Sequence, residues 1–123
     1  MHGMYTTRGI PGITTQIAVT DEAQTLADAG MSLSIGGKNA IGAFITVDNT
    51  KTRVYSLRCT FGRVSSVTPT TSFGHLLYPG DSLYLDDSVS VLTFQFINEV
   101  QQSAAYMHVT LEYESGSGVL QAS

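Results

Sequence analysis

Three histidines, ten acidic residues and one cysteine are the groups of this 123-residue chain that could act on a substrate or hold a metal. His75 precedes Asp81, and His108 precedes Glu112 on what reads as one strand face. Either pair would set an imidazole beside a carboxylate, the arrangement that general acid–base catalysis uses. Neither comes with a nucleophile motif, an oxyanion-hole glycine pattern or a phosphate-binding loop. Cys59 stands alone in an apolar run, so no intrachain disulfide and no Cys-x-x-Cys metal site can form, and it reads as a small core residue. As a nucleophile it would need a base nearby, and His2, His75 and His108 are scattered. Asp81, Asp86 and Asp87 form a carboxylate cluster that could offer oxygens to calcium, but EF-hand spacing is missing and Asp in a turn is ordinary turn chemistry. The chain is therefore read as a non-enzyme, with no catalytic residue, no metal and no cofactor.

Charge narrows the partners. The formal net charge is −4, and only 13% of residues are charged, about half the usual fraction. Arg53, Arg58 and Arg63 recur at five-residue intervals but make no basic face large enough for phosphates, so nucleic acid is not an expected partner. No apolar run approaches the roughly 20 residues of a membrane span, and the N-terminus has no signal-peptide apolar region, which predicts a soluble protein made in the cytoplasm. A surface poor in Lys and Glu and rich in Ser and Thr suits a chain that packs against partners. Six tyrosines and no tryptophan point the same way, since Tyr supplies contact area with a polar tip, whereas a carbohydrate platform more often uses Trp.

The elements that would position these groups are strands. Ile13 to Thr20 is rich in β-branched residues, and Met31, Leu33 and Ile35 alternate with serines. Ala43 to Asp48 ends in a strong turn signal, and Val54 to Cys59 reads as its hairpin partner. Leu76 to Tyr78 and Ser82 to Leu85 flank Pro79-Gly80, the chemistry of a type II turn. Val89 to Ile97 and Tyr106 to Tyr113 complete the set. About eight evenly spaced strands without a long helical pattern predict an all-β, antiparallel, jelly-roll-like β-sandwich. Its expected core is Ile17, Val19, Leu33, Ile35, Phe44, Ile45, Tyr55, Leu57, Leu76, Leu83, Leu85, Leu92, Phe94, Phe96, Val109 and Leu111.

The ends and one loop stand apart from that core. Residues 1–12 read as an N-terminal arm, 13–114 as the sandwich, and 115–123 as a flexible Gly-Ser tail. The arm carries Met4, Tyr5 and Ile10, and the tail carries Val119 and Leu120, apolar side chains that are costly to leave in water. The turn-rich stretch from Gly62 to Gly74 is long for a compact β domain, and such loops are frequently where binding occurs. Val67, Thr70 and Phe73 join Met4, Tyr5, Ile10, Val119 and Leu120 as expected partner-binding residues.

From Val47 to Tyr113 the order of features resembles a group of small structural proteins of tailed bacteriophages. The matching features are Val54-Tyr55-Ser56-Leu57-Arg58, Pro69-Thr70, Gly74-His75-Leu76-Leu77-Tyr78-Pro79-Gly80-Asp81, Phe94-Gln95-Phe96-Ile97 and the closing strand His108 to Tyr113. The resemblance covers about half the chain: residues 1–12 and 114–123 fall outside it, and the loop from Gly62 to Ser72 has no assigned role in it. It implies a virion component at the capsid surface, a cement or decoration protein that binds between capsomers of the major capsid protein and forms trimers. The alternative is a carbohydrate- or receptor-binding module of a tail or head fibre.

Overall fold

The computed structural model describes residues 9–62, 64 and 67–115. Ten strands and one short helix follow in order: β1 (Ile10–Pro11), β2 (Thr15–Ala18), β3 (Gln24–Thr25), β4 (Ser34–Ile35), β5 (Lys38–Val47), β6 (Leu57–Thr60), β7 (His75–Leu77), β8 (Ser82–Leu85), α1 (Ser88–Thr93), β9 (Gln95–Asn98) and β10 (Tyr106–Tyr113). β1 and β2 pair with successive parts of β10, so together they fill one edge position. The first sheet then reads β1/β2, β10, β5, β8, with β4 beside the start of β5. The second reads β3, β9, β6, β7, and every pairing is antiparallel.

The chain crosses from sheet to sheet at most connections, staying within a sheet only from β1 to β2, from β4 to β5 and from β6 to β7. Two four-position sheets wound in this way form an eight-stranded jelly roll. Two expected hairpins are corrected by this path. β5 lies in the first sheet and β6 in the second, and the Pro79-Gly80 turn carries the chain from β7 across to β8. The turn itself has the expected geometry: Gly80 has φ +93°, and the Asp81 amide donates to the Tyr78 carbonyl at 2.9 Å.

Alternation fixes the core. Met107, Val109 and Leu111 point inward from β10 and face Ala43, Ile45 and Val47 of β5, while Leu57, Cys59 and Phe96 close from the other sheet. Phe94 and Phe96 are fully buried, with ring centroids 5.6 Å apart. Leu26, Val91, Ala105 and Met107 join the core beyond the expected set. Ile35 and Leu92, both expected inside, are exposed, and Phe44, Tyr55, Leu33, Leu76 and Leu83 are half-buried. Phe44 alternates with the inward Ala43 and Ile45, so it lies on the outer face of its sheet.

Leu92 is exposed because the expected strand from Val89 begins as a helix. Asp87, in extended conformation, caps α1 by accepting the Ser90 amide and hydroxyl, each at 2.8 Å. Helical periodicity then buries Val91 and turns Val89 and Leu92 outward.

The domain begins earlier than residue 13. Ile10 and Pro11 pair with Tyr113 and Glu112, and the Gly12 amide donates to Leu111, so the end of the expected arm belongs to the sheet.

Strand register sorts the connections into two ends. Val47 lies opposite Met107, Leu57 opposite Asn98 and Leu77, and Gly80 donates to Val47. Residues 19–23, 48–56, 78–81 and 99–105 therefore gather at one end. Residues 26–37, 61–74 and 86–94 gather at the other, where the described chain also enters at β1 and leaves after β10.

Candidate functional site

The two ends differ in chemistry. At the end carrying 48–56 and 99–105, polar side chains knit the loops together. The Asp21 carboxylate accepts the Asn98 side-chain amide at 3.0 Å and the Gln102 backbone amide at 2.9 Å. Asn98 also donates to the Ser103 carbonyl and accepts the Ala105 amide. Asp48 accepts both the hydroxyl and the amide of Thr50 and lies 3.2 Å from His108 Nε2. The Lys51 ammonium sits 4.8 Å from the centre of the Tyr106 ring. These bonds hold the Asp21 carboxyl below the usual carboxylate range, Asn98 contributing most, and the Asp48 carboxyl likewise, through Thr50 first and His108 less. Such an end is ordered by its own side chains.

The opposite end presents apolar side chains to water. On the β6–β7 loop, Val67 is 66% and Phe73 52% exposed, and Phe61 and Val64 are exposed beside them. The described residues of this loop carry no charge. Leu92 of α1 is 60% exposed, and Val89 and Ile35 are exposed nearby in the same set of loops. Isolated exposed apolar residues need no explanation, but this concentration at one end of a small domain does.

The base of the loop is held in place. Arg58 reaches out of β6 and donates from Nε to the Thr71 carbonyl at 2.9 Å and from a terminal nitrogen to the Gly74 carbonyl at 2.8 Å. The Thr60 hydroxyl donates to the Val67 carbonyl, and Thr70 and Phe73 exchange both backbone hydrogen bonds. Gly62 and Thr93 bond each other in both directions, which fastens the loop to the end of α1. Gly74 has φ +127°, and a Cβ there would lie 2.9 Å from the Cys59 carbonyl oxygen, so a side chain cannot be accommodated at this position. Val67, Thr70 and Phe73, expected to act together, are brought onto one braced loop.

Between α1 and the β4–β5 hairpin lies a groove of about 340 Å³, lined mainly by Leu33, Ala40, Val89, Val91 and Leu92, with Ser34, Asn39 and Ser88 at its polar points.

The other expected partner-binding residues scatter. The Ile10 side chain is 40% exposed at the sheet edge, on the same end as the loop. Met4, Tyr5, Val119 and Leu120 lie outside the described residues. Phe61, Ile35, Val89 and Leu92 are exposed at the apolar end as well, although the sequence places Ile35 and Leu92 in the core. For Leu92 a signal existed: Asp87-Ser88-Val89-Ser90 is an N-cap followed by one helical turn.

The residues that could have done chemistry are kept apart. His75 opens β7 at the apolar end, its ring 5.5 Å from that of Phe61, whereas Asp81 belongs to the polar end and accepts the Tyr78 amide. His108 meets Asp48, while Glu112 is buried and accepts the Tyr84 hydroxyl at 2.7 Å. Among the described residues no group of three His, Cys, Asp or Glu side chains converges as metal ligands. Burial pushes the Cys59 thiol up to about 12, which keeps it protonated. No helix among the described residues is long and apolar enough to cross a membrane. No protein-family model, curated protein or solved structure matches the chain.

Proposed function

We propose that this protein is a structural component of a tailed-bacteriophage virion, a cement or decoration protein that seats its apolar end between capsomers of the major capsid protein. The carrying observation is the gathering of exposed apolar side chains, on a braced loop and on α1, at one end of the jelly roll. A braced loop loses little conformational entropy on docking, so apolar burial there yields more net affinity than the same residues on a loose one. The jelly roll is used by capsid domains, which is support by fold analogy. The resemblance of the stretch from Val47 to Tyr113 to small phage structural proteins, and the low charge, support the reading. Trimers at the shell surface are part of the proposal.

A glycan-binding module has weaker support, because the residues offered at this end are Val, Leu, Ile and Phe rather than a set of convergent hydrogen-bonding side chains.

Cosedimentation with empty heads of the phage that encodes the chain tests the reading. The intact protein should pellet with the shells, and Val67→Asp with Phe73→Asp should abolish this while leaving the folded protein monodisperse. No binding by the intact protein, together with binding on a glycan array, would replace the cement reading with the adhesive one.

A further inference from the structure

We infer that the outer edge of β2 pairs with β2 of a second copy of this chain, antiparallel about a twofold axis at Gln16. β10 covers one edge of β2, and among the described residues no strand lies against the other. The Val19 amide donates to the Ala105 carbonyl at 2.8 Å, and hydrogen-bonded pairs recur at every second residue of an antiparallel ladder. Val19, Ile17 and Thr15 therefore direct their backbone groups at β10, and Thr14, Gln16 and Ala18 direct theirs outward.

Such an edge is open to another extended strand, and proteins usually blunt it with charge, proline or a bulge. Within β2 none of these occurs. From Ile13 to Thr20 the sequence reads Ile-Thr-Thr-Gln-Ile-Ala-Val-Thr, mostly β-branched and without a charged residue or a proline. Left bare, a segment of that composition is an aggregation hazard. The other strands are short or guarded: β1, β3 and β4 have two residues each and β7 has three, while β8 lies between Asp81 and Asp86-Asp87.

The occupant follows from the edge itself. A foreign segment is selected by opposite charges across the contact, and β2 offers none. Its own sequence is complementary to itself. With Gln16 opposite Gln16 of the second copy, Thr14 stands opposite Ala18 of the second copy, and all three outward residues find backbone partners. In this register no charge meets a like charge, although the chain as a whole carries −4. Ile13, 86% exposed, comes alongside Val19 of the second copy, so apolar surface is covered together with the backbone.

The pair joins two sheets of four strand positions into one of eight. Because the paired strands run antiparallel, the two apolar ends point in opposite directions and each stays open. The inference concerns the free protein and does not rest on what the apolar end docks onto.

Sedimentation of the full chain from about 1 μM to about 1 mM tests it without any shell, and should show a reversible equilibrium between monomer and dimer. Gln16→Lys sets two ammonium groups against each other at the axis, and should raise the dissociation constant at least about tenfold while leaving the denaturation midpoint in place. Position 16 meets its own copy at a Cα separation of about 5.5 Å, within the span of a disulfide. Gln16→Cys should therefore give a covalent dimer on mild oxidation, a reaction that the buried Cys59 does not enter. Ala18→Cys should not, because its two copies stand four positions apart. A chain that stays monomeric throughout, a larger oligomer in place of the dimer, or a dimer that Gln16→Lys leaves intact would overturn the inference. So would the absence of a covalent dimer from Gln16→Cys, or cross-linking through Ala18→Cys at the same rate.

Discussion

Single side chains divide here between those that close the core and those that order the polar end. Cys59 is completely shielded and its thiol is raised to about 12, so native protein should resist iodoacetamide at pH 8 and react once denatured. Labelling of the folded chain at the rate of a free thiol would contradict that burial. Phe96 is fully buried against Phe94, and Phe96→Ala should cost about 3–5 kcal/mol, read as a lower chemical-denaturation midpoint. Asp21 and Asp48 have depressed carboxyl pKa values, so their contribution to stability is present above the unfolded value near 3.8 and is lost as pH falls through the lower folded value. Asp21→Asn should therefore flatten the acid limb of a stability–pH profile, and an unchanged acid limb would show that Asn98 and Gln102 do not hold the carboxylate in solution.

At the level of elements, strand existence was legible and strand partnership was not. The closing strand Tyr106–Tyr113 falls where its alternation places it, with Met107, Val109 and Leu111 inward as the period of two requires. The expected hairpins failed because a turn signal says only that the chain reverses. Asp48-Asn49-Thr50-Lys51 and Pro79-Gly80 serve equally well to join neighbours in one sheet or to cross between two. Val89 and Val91 imitated a strand because two residues at a spacing of two are too few to separate a strand from one helical turn, and the Asp87 cap decides the matter. Asp87→Ala should cost about 0.5–2 kcal/mol through loss of that cap. Gly80→Val should destabilise the crossing, since φ +93° excludes a β-branched residue, and unaltered thermal stability would refute the turn. Of the surface site, Val67, Thr70 and Phe73 were legible as a long loop with apolar residues. The Arg58 brace was not, because carbonyl acceptors thirteen and sixteen residues away leave no mark in the sequence.

For the whole molecule, the jelly-roll winding has a consequence that no single loop shows. Because β1 and the end of β10 are paired neighbours, the described chain enters and leaves at the apolar end, the end that also carries the β6–β7 loop and α1. The expected N-terminal arm is thus rooted at the end proposed to dock, and a segment that orders on binding can cover a large area. Where the arm is cut matters. Removing residues 1–12 strips β1 from the edge of β10 and breaks the Gly12–Leu111 hydrogen bond, so it should lower stability as well as attachment. Removing only 1–8 leaves that pairing intact, and should keep the unfolding midpoint while weakening binding to heads. Attachment driven by apolar burial should also persist as NaCl rises from about 0.1 to about 1 M, where exposed ion pairs are screened. If the chain lacking 1–8 binds heads as tightly as the intact one at both salt concentrations, the N-terminal arm is not the clamp, and the contact rests on Val67 and Phe73.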